Sequence, residues 1–309
     1  MTRVSTAGNY QSALLNLMNA QAQQNEAQTR VSTRKNATDL AGFGRGAESL
    51  TALKGAQSRI QGFLDTGEAV AARLETQDIV LTQVGDGVQG ARSSIGDALA
   101  ADSVANLMLE LQGHFSSVMG GLNGEHQGAY LFAGADSSKA PVKVATLAEL
   151  AAAPDVASVF GNDSLAPVSR LGENSSVQTG YLADAVGTAA FEVFRDIQRY
   201  NDDPATGPLT GKPTDAQKAF LTAQLSRLDA AGTSITEVTS RNGSLQSQVE
   251  NKNKAHEAQI ASLDEMVAGK TDADLAKAAT DLQLAQVATQ ASTYIVSQLN
   301  QVSLLDYLR

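Results

Sequence analysis

Every seventh residue from Leu53 to Ile95 falls on one row: Leu53, Ile60, Gly67, Leu74, Leu81, Val88 and Ile95. Six of the seven are apolar, and Leu50, Leu64, Ala71 and Leu99 stand at a companion offset. A repeat of 3.5 residues held for six heptads is satisfied by a long helix lying along other helices, since only a supercoiled partner keeps such a seam covered. Gly85, Gly87 and Gly90 are expected to loosen that helix locally, because glycine is a poor helix former.

A second stripe follows in Val104, Leu107, Leu111, Phe115, Val118 and Leu122, with Asp102 and Ser103 as expected N-cap residues. Further on, Leu221, Leu225, Leu228, Ile235 and Val238, then Leu245, Val249, Ile260, Leu263 and Val267 mark another long stripe. Asn242, Asn251 and Asn253 interrupt it, which predicts patchy burial there. Gly269 reads as its stop and Thr271–Asp274 as a fresh helix start.

The middle of the chain breaks this pattern. From Gly134, the residues Pro141, Pro154, Pro167, Gly161, Gly172 and Gly180 exclude any long helix. Pro141–Val144 and Ser175–Val177 are strand candidates, Leu147–Ala152 a short helix, and Thr188–Tyr200 the return to the helical layer. The fold expected is therefore mainly α: an elongated antiparallel long-helix bundle or coiled coil built from both termini, with a small mixed α/β insert.

The chain ends are unusual in what they leave uncovered. On the last helix Leu284, Ala288, Ala291, Ile295, Val302 and Leu305 form one stripe, and Leu282, Ala285, Val296 and Leu299 form another. Two apolar faces with almost no charge call for cover on more than one side. Leu14, Leu15, Leu17 and Met18 likewise surround the axis of the first helix. The termini are expected to pair with each other and with neighbouring copies of the chain.

Composition narrows the function. Lys and Arg number 23 against 33 Asp and Glu, a formal charge of −10, which argues against binding nucleic acid through its phosphates. Cysteine is absent, so disulfides, thiolate metal sites and cysteine nucleophiles are excluded. The uncharged stretch Leu282–Leu305 is long enough for a membrane span, but its scattered Gln and Asn side chains argue against insertion. Met1–Ala20 carries no compact apolar core before a cleavage site, so no Sec signal is read.

Individual candidates for chemistry are weak. Gly42-Phe-Gly-Arg-Gly46 lacks the strand and the Gly-Lys-Ser/Thr of a phosphate loop and reads as a turn. His114, His126 and His256 have no partner at metal-ligand spacing, and Asp202 and Asp203 belong to a turn too poor in oxygens for calcium. No catalytic, cofactor or metal residue is expected, and the chain does not read as an enzyme.

Several tracts carry a family resemblance. They are Arg3-Val-Ser-Thr6, Thr29-Arg-Val-Ser-Thr-Arg-Lys-Asn36, Asn123-Gly-Glu-His-Gln-Gly-Ala-Tyr-Leu-Phe-Ala-Gly134, Ser240-Arg-Asn-Gly-Ser244, Asp274-Leu-Ala-Lys-Ala-Ala-Thr280 and the ending Ser303-Leu-Leu-Asp-Tyr-Leu308. Together they resemble the flagellin superfamily, and within it the hook-associated proteins of the hook–filament junction. That resemblance implies an inner-tube domain from residues 1–45 and 269–309, a long-helix core from 46–133 and 188–268, and a solvent-facing insert at 134–187. It also implies a structural adaptor on the extracellular flagellum, exported unfolded through the flagellar type III channel. Its implied partners are the first hook-associated protein, flagellin, copies of itself, and a cytoplasmic export chaperone at the C-terminal helix. The subunit-packing residues expected are Leu14, Leu17, Met18, Leu282, Leu284, Ala288, Ala291, Ile295, Val296, Leu299, Val302 and Leu305.

Overall fold

The long apolar rows fold as helices. The computed structural model describes the backbone of residues 2–307 and the side chains of residues 8–300. In chain order the elements are α1 (Thr2–Thr33), α2 (Ala47–Ala100), α3 (Leu107–Leu122), β1 (Glu125–His126), β2 (Ala129–Tyr130), α4 (Leu147–Ala152), β3 (Val168–Gly172), β4 (Ser175–Gln178), α5 (Ala183–Asp202), α6 (Asp215–Thr271) and α7 (Leu275–Tyr307). The fold is mainly α, with long helices from both termini and two small antiparallel hairpins, β1–β2 and β3–β4. Two compact units divide the chain: Met1–Arg59 with Ala258–Arg309, and Ile60–Glu257.

In the second unit, α2, α3, α5 and α6 surround the larger of two apolar clusters. On α2 the buried positions alternate by three and four: Gly67, Val70, Leu74, Gln77, Leu81, Val84, Val88, Ala91 and Ile95. The companion row is thus three residues after each heptad position, not three before it. Leu50 and Leu64 are buried, but Ala71 and Leu99 are only half-buried. On α6 the matching seam is Leu221, Gln224, Leu228, Ala231, Ile235, Val238, Asn242, Leu245 and Val249, and the two helices run antiparallel. Leu225 lies at its flank, half-buried.

The glycines of α2 do not loosen it, since the helix is continuous from Ala47 to Ala100. They admit α3 instead. A Cβ at Gly87 would stand 2.6 Å from Val118 Cγ2, one at Gly90 would strike the His114 ring, and one at Gly121 of α3 would stand 2.9 Å from Val80 O. The propensity cost of glycine is thus offset by backbone approach. Leu107, Leu111, Phe115, Val118 and Leu122 of α3 are buried as expected, and Phe115 meets Phe191 and Phe194 of α5 edge-on at 5.1 and 5.6 Å.

The helix-start expectation fails at Asp102 and Ser103. Asn106 occupies the N-cap of α3, without a side-chain cap bond. Asp102 instead turns the chain out of α2 with φ 51° and pairs with Lys212 and Lys218 at 2.8 and 2.5 Å.

The 134–187 segment shares the helical core. Val142, Leu147, Leu150, Val156, Val159 and Phe160 belong to the same buried cluster as Phe115 and Phe191. Asn123, at the end of α3, holds the segment by donating to Val142 O at 3.1 Å and accepting from Val142 N at 2.8 Å. Pro141–Val144 forms no strand of its own, only a single bridge between Val142 and Phe160. Ser175–Val177 lies in β4 as expected, and Leu147–Ala152 is helical behind the N-cap Thr146, whose hydroxyl accepts from Glu149 N while the Glu149 carboxylate accepts from Ala145 N. The return helix starts five residues before Thr188, at Ala183.

Asn242 departs most from the sequence expectation. It is fully buried, accepts from Gln77 Nε2 at 3.1 Å and donates to Leu74 O at 3.0 Å, and Gln246 donates to the same carbonyl at 2.9 Å. This polar layer separates two apolar clusters, one around Leu74, Leu245 and Val249 and one from Leu81 and Val238 onward. A buried amide tolerates substitution only if its partner is also removed. Asn242→Leu should therefore cost about 1–3 kcal/mol by stranding the Gln77 amide. The double variant Gln77→Leu/Asn242→Leu should recover most of that loss, as read from denaturant unfolding midpoints.

Candidate assembly surface

The expected packing residues lie on α1 and α7, which pack along each other in the first unit. The partnership begins at two turns. Between α1 and α2, Asn36 N donates to Thr271 O at 2.7 Å, and Ala273 N donates to Arg34 O at 3.0 Å. The Asn36 amide donates to Asp272 O at 2.9 Å, and Lys35 Nζ reaches Asp272 Oδ1 at 2.5 Å. Helix α6 runs through Gly269, which is not the stop expected, and ends at Thr271. Asp274 then caps α7 by accepting from Ala276 N and Lys277 N at 2.9 and 3.2 Å. The end of α1 thus sits beside the start of α7, and the pair is antiparallel.

Their seam is built from small residues. On α1 the covered positions are Tyr10, Ala13, Leu17, Ala20, Gln24, Ala27 and Val31. On α7 they are Ala278, Leu282, Ala285, Thr289, Ser292, Val296 and Leu299. Both rows alternate by three and four, the spacing of a supercoiled pair. Only Ala13, Ala20, Ala27, Ala278 and Ala285 are fully buried, while the larger side chains of the two rows remain half-buried.

This division sorts the expected residues. Leu14, Leu17, Leu282, Val296 and Leu299 are half-buried along the α1–α7 seam. Met18, Leu284, Ala288, Ala291 and Ile295 are exposed. Val302 and Leu305 fall outside the residues whose side chains are described. The exposed set on α7 lies roughly a third of a turn round from the seam. Val287 and Tyr294 join it, each more than 60% exposed alongside Leu284, with Ile295 at 51%. Leu15 joins Met18 on α1. The sequence pattern missed Val287 and Tyr294 because they sit one residue off the Leu284–Ile295 row; a wider apolar window on that face would have included them. Between α1 and α7, a cleft of about 400 Å³ opens beside Leu284, Ala285 and Ala288.

No charge lies between Asp281 and Asp306. The surface is therefore suited to close apolar packing rather than to chemistry. Among the described residues no three His, Cys or acidic side chains gather as a metal set, and no helix is long and apolar enough to cross a membrane. The histidines are each engaged within the second unit: His114 with Ser94 Oγ, His126 with Thr76 Oγ1, and His256 with Leu171 O. Gly42–Gly46 lies in a short 3₁₀ turn (Ala41–Gly46), with Gly44 at φ 50°.

The Lys35 ammonium, and then the Thr271 hydroxyl, hold the Asp272 carboxyl below its usual range. A carboxyl depressed in the folded state stabilises above its unfolded pKa of about 3.9 and loses that contribution as pH falls through the folded value. Amide protection of Asn36 and Ala273 should therefore persist from neutrality to about pH 4 and fall below it, after correction for intrinsic exchange. Asp272→Asn should flatten that dependence.

The comparisons with known proteins follow this architecture. Residues 225–308 match the family described as the bacterial flagellin C-terminal helical region, which takes in most of α6 and all of α7. No curated protein sequence matches the chain. A protein described as a flagellar hook-associated protein of Vibrio parahaemolyticus shares the fold with a TM-score of 0.59 at 15% identity, over 75% of this chain and 100% of that one. The crystal structure of Bacillus cereus FlgL is similar with a TM-score of 0.56 at 14% identity, over 70% and 99%. From residue 225 to residue 308 the chain is similar in sequence to the flagellin C-terminal helical region, and it shares its fold with these two flagellar proteins.

Proposed function

We propose that this protein is a structural subunit of the bacterial flagellum, an adaptor at the hook–filament junction that assembles through α1 and α7. The observation that carries this reading is the charge-free apolar face of α7 left uncovered by α1. Burying one Leu, Ile or Val side chain contributes about 1.5–3 kcal/mol, whereas docking two proteins costs about 4–15 kcal/mol in lost motion. A stripe of a few such side chains is marginal for one pairwise contact. It becomes effective when each subunit repeats the contact with several neighbours in a closed or helical array.

The partners on this reading are copies of the chain itself, with the first hook-associated protein on one side and flagellin on the other. The subunit-packing set is Met18, Leu284, Ala288, Ala291 and Ile295 on the exposed faces. Leu14, Leu17, Leu282, Val296 and Leu299 hold the α1–α7 pair that presents them, and Val302 and Leu305 extend the α7 row in sequence. Export unfolded through the flagellar type III channel, with a cytoplasmic chaperone covering the C-terminal helix, would keep this apolar face from aggregating before assembly. The protein then acts outside the cell, and its work is mechanical rather than catalytic.

A charge on the exposed stripe separates assembly from folding. Ile295→Asp should leave the unfolding transition of the purified protein within about 0.5 kcal/mol of wild type, because the site is exposed. In cells it should yield hooks without filaments and flagellin shed into the medium. Normal filaments and motility in that strain would refute the assignment. Immunogold label against the protein is expected as a band at the hook boundary; label along the whole filament would identify a filament subunit instead.

A further inference from the structure

The second unit contains a pocket that the assembly reading does not use. It has a volume of about 490 Å³ and lies between α2, the β1–β2 hairpin and the stretch before β3. Arg73 of α2 forms one wall, and Leu165, Pro167 and Ala129 contribute apolar surface. Leu165 stays 66% exposed.

Arg73 is in an unusual situation for a guanidinium. Its single protein hydrogen bond runs from Nη2 to Leu131 O at 3.4 Å, and among the described residues no carboxylate pairs with it. Partial burial holds it below its ordinary pKa with no acid to compensate. Glu125, on the neighbouring hairpin, is taken by the Tyr130 hydroxyl. His126 is held by Thr76, whose hydroxyl lies 2.8 Å from His126 Nδ1. The Ser137 hydroxyl makes no side-chain hydrogen bond to the protein among the described residues and also lines the pocket.

A partly desolvated guanidinium without its acid, in a recess that Leu165 and Pro167 help to line, is half of a charge-assisted pair. We infer that this pocket receives a carboxylate on a short apolar stem, with Arg73 donating to the carboxylate oxygens and Leu165 and Pro167 covering the stem. A glutamate side chain of a second copy of this chain and a free short-chain acid present the same chemistry. The chain's net charge of −10 opposes long-range attraction of an anion, so recognition is local and weak.

The probe is N-acetyl-L-glutamate α-amide, with the matching glutamine compound as its neutral isostere. Phenylglyoxal labelling of the full-length protein, read peptide by peptide by mass spectrometry, follows Arg73 beside the exposed Arg34 and Arg45. Labelling of Arg73 should slow roughly tenfold at ten times the dissociation constant of the probe, with Arg34 and Arg45 unchanged. No slowing, equal slowing at all three arginines, or equal slowing by the glutamine compound would overturn the inference.

Should Arg73 label too slowly to follow, the unfolding midpoint serves instead. The glutamate probe should raise it in wild type and not in Arg73→Gln, a variant that gives up only the 3.4 Å bond. An equal response in the two proteins would also overturn the inference. Once selective protection is found, labelling without probe across a range of protein concentrations identifies the source. Protection that rises with concentration assigns the carboxylate to a second copy, and constant labelling assigns it to a free acid.

Discussion

One helix can cover only one face of another, and α7 has two apolar faces. The row Ala278, Leu282, Ala285, Val296 and Leu299 is answered by α1, whereas Leu284, Val287, Ala291, Tyr294 and Ile295 stay exposed. The alanines of the α1–α7 seam permit close approach of the two backbones, but each removes little apolar area from water. The pair therefore gains much less from its own contact than the second unit gains from Phe115, Phe191 and Phe194 packed edge to face. A thin seam next to an open apolar stripe is what the proposed assembly would complete with neighbours.

The α2–α6 seam solves the opposite problem. Two long helices with heptad rows can slide by a repeat and still match apolar to apolar. Gln77 and Asn242 remove that freedom, because a slip of one heptad would set each amide against Val or Ile and leave it without its partner. The layer is not a stabilising device overall, since Gln77 Oε1 remains unpaired among the described residues. It trades some stability for a single register.

The helical architecture was legible because a 3.5-residue period survives any packing detail, and the capping chemistry of Thr146 and Asp274 is local. Other features depended on contacts that no local pattern encodes. Rows three residues before and three residues after the heptad position both contain apolar side chains, so the companion offset on α2 was ambiguous until α6 chose between them. Glycine at positions 85, 87 and 90 lowers intrinsic helix propensity, and only the approach of α3 shows what Gly87 and Gly90 permit. Asp102 carries a good capping side chain, yet two lysines from the loop before and the start of α6 claim it. Asn242 looked like an interruption because its partner lies 165 residues away. At the candidate surface, both α7 stripes were visible in the sequence, but which one α1 covers was not.

Charge placement bears on when such a surface becomes adhesive. The chain carries a formal −10, yet its last charges before Asp306 are Lys277 and Asp281, so the exposed stripe of α7 from Leu284 to Ile295 lies in an uncharged stretch of its helix. Repulsion between copies arises elsewhere and is screened beyond about 8–10 Å at physiological ionic strength. At low concentration that repulsion and the entropy of association outweigh a contact of a few side chains. On the proposed assembly, neighbours at the tip of a growing structure would already hold complementary faces in place. The association cost would then be met once while several contacts form together, and the same stripe that is marginal between two free copies would become decisive.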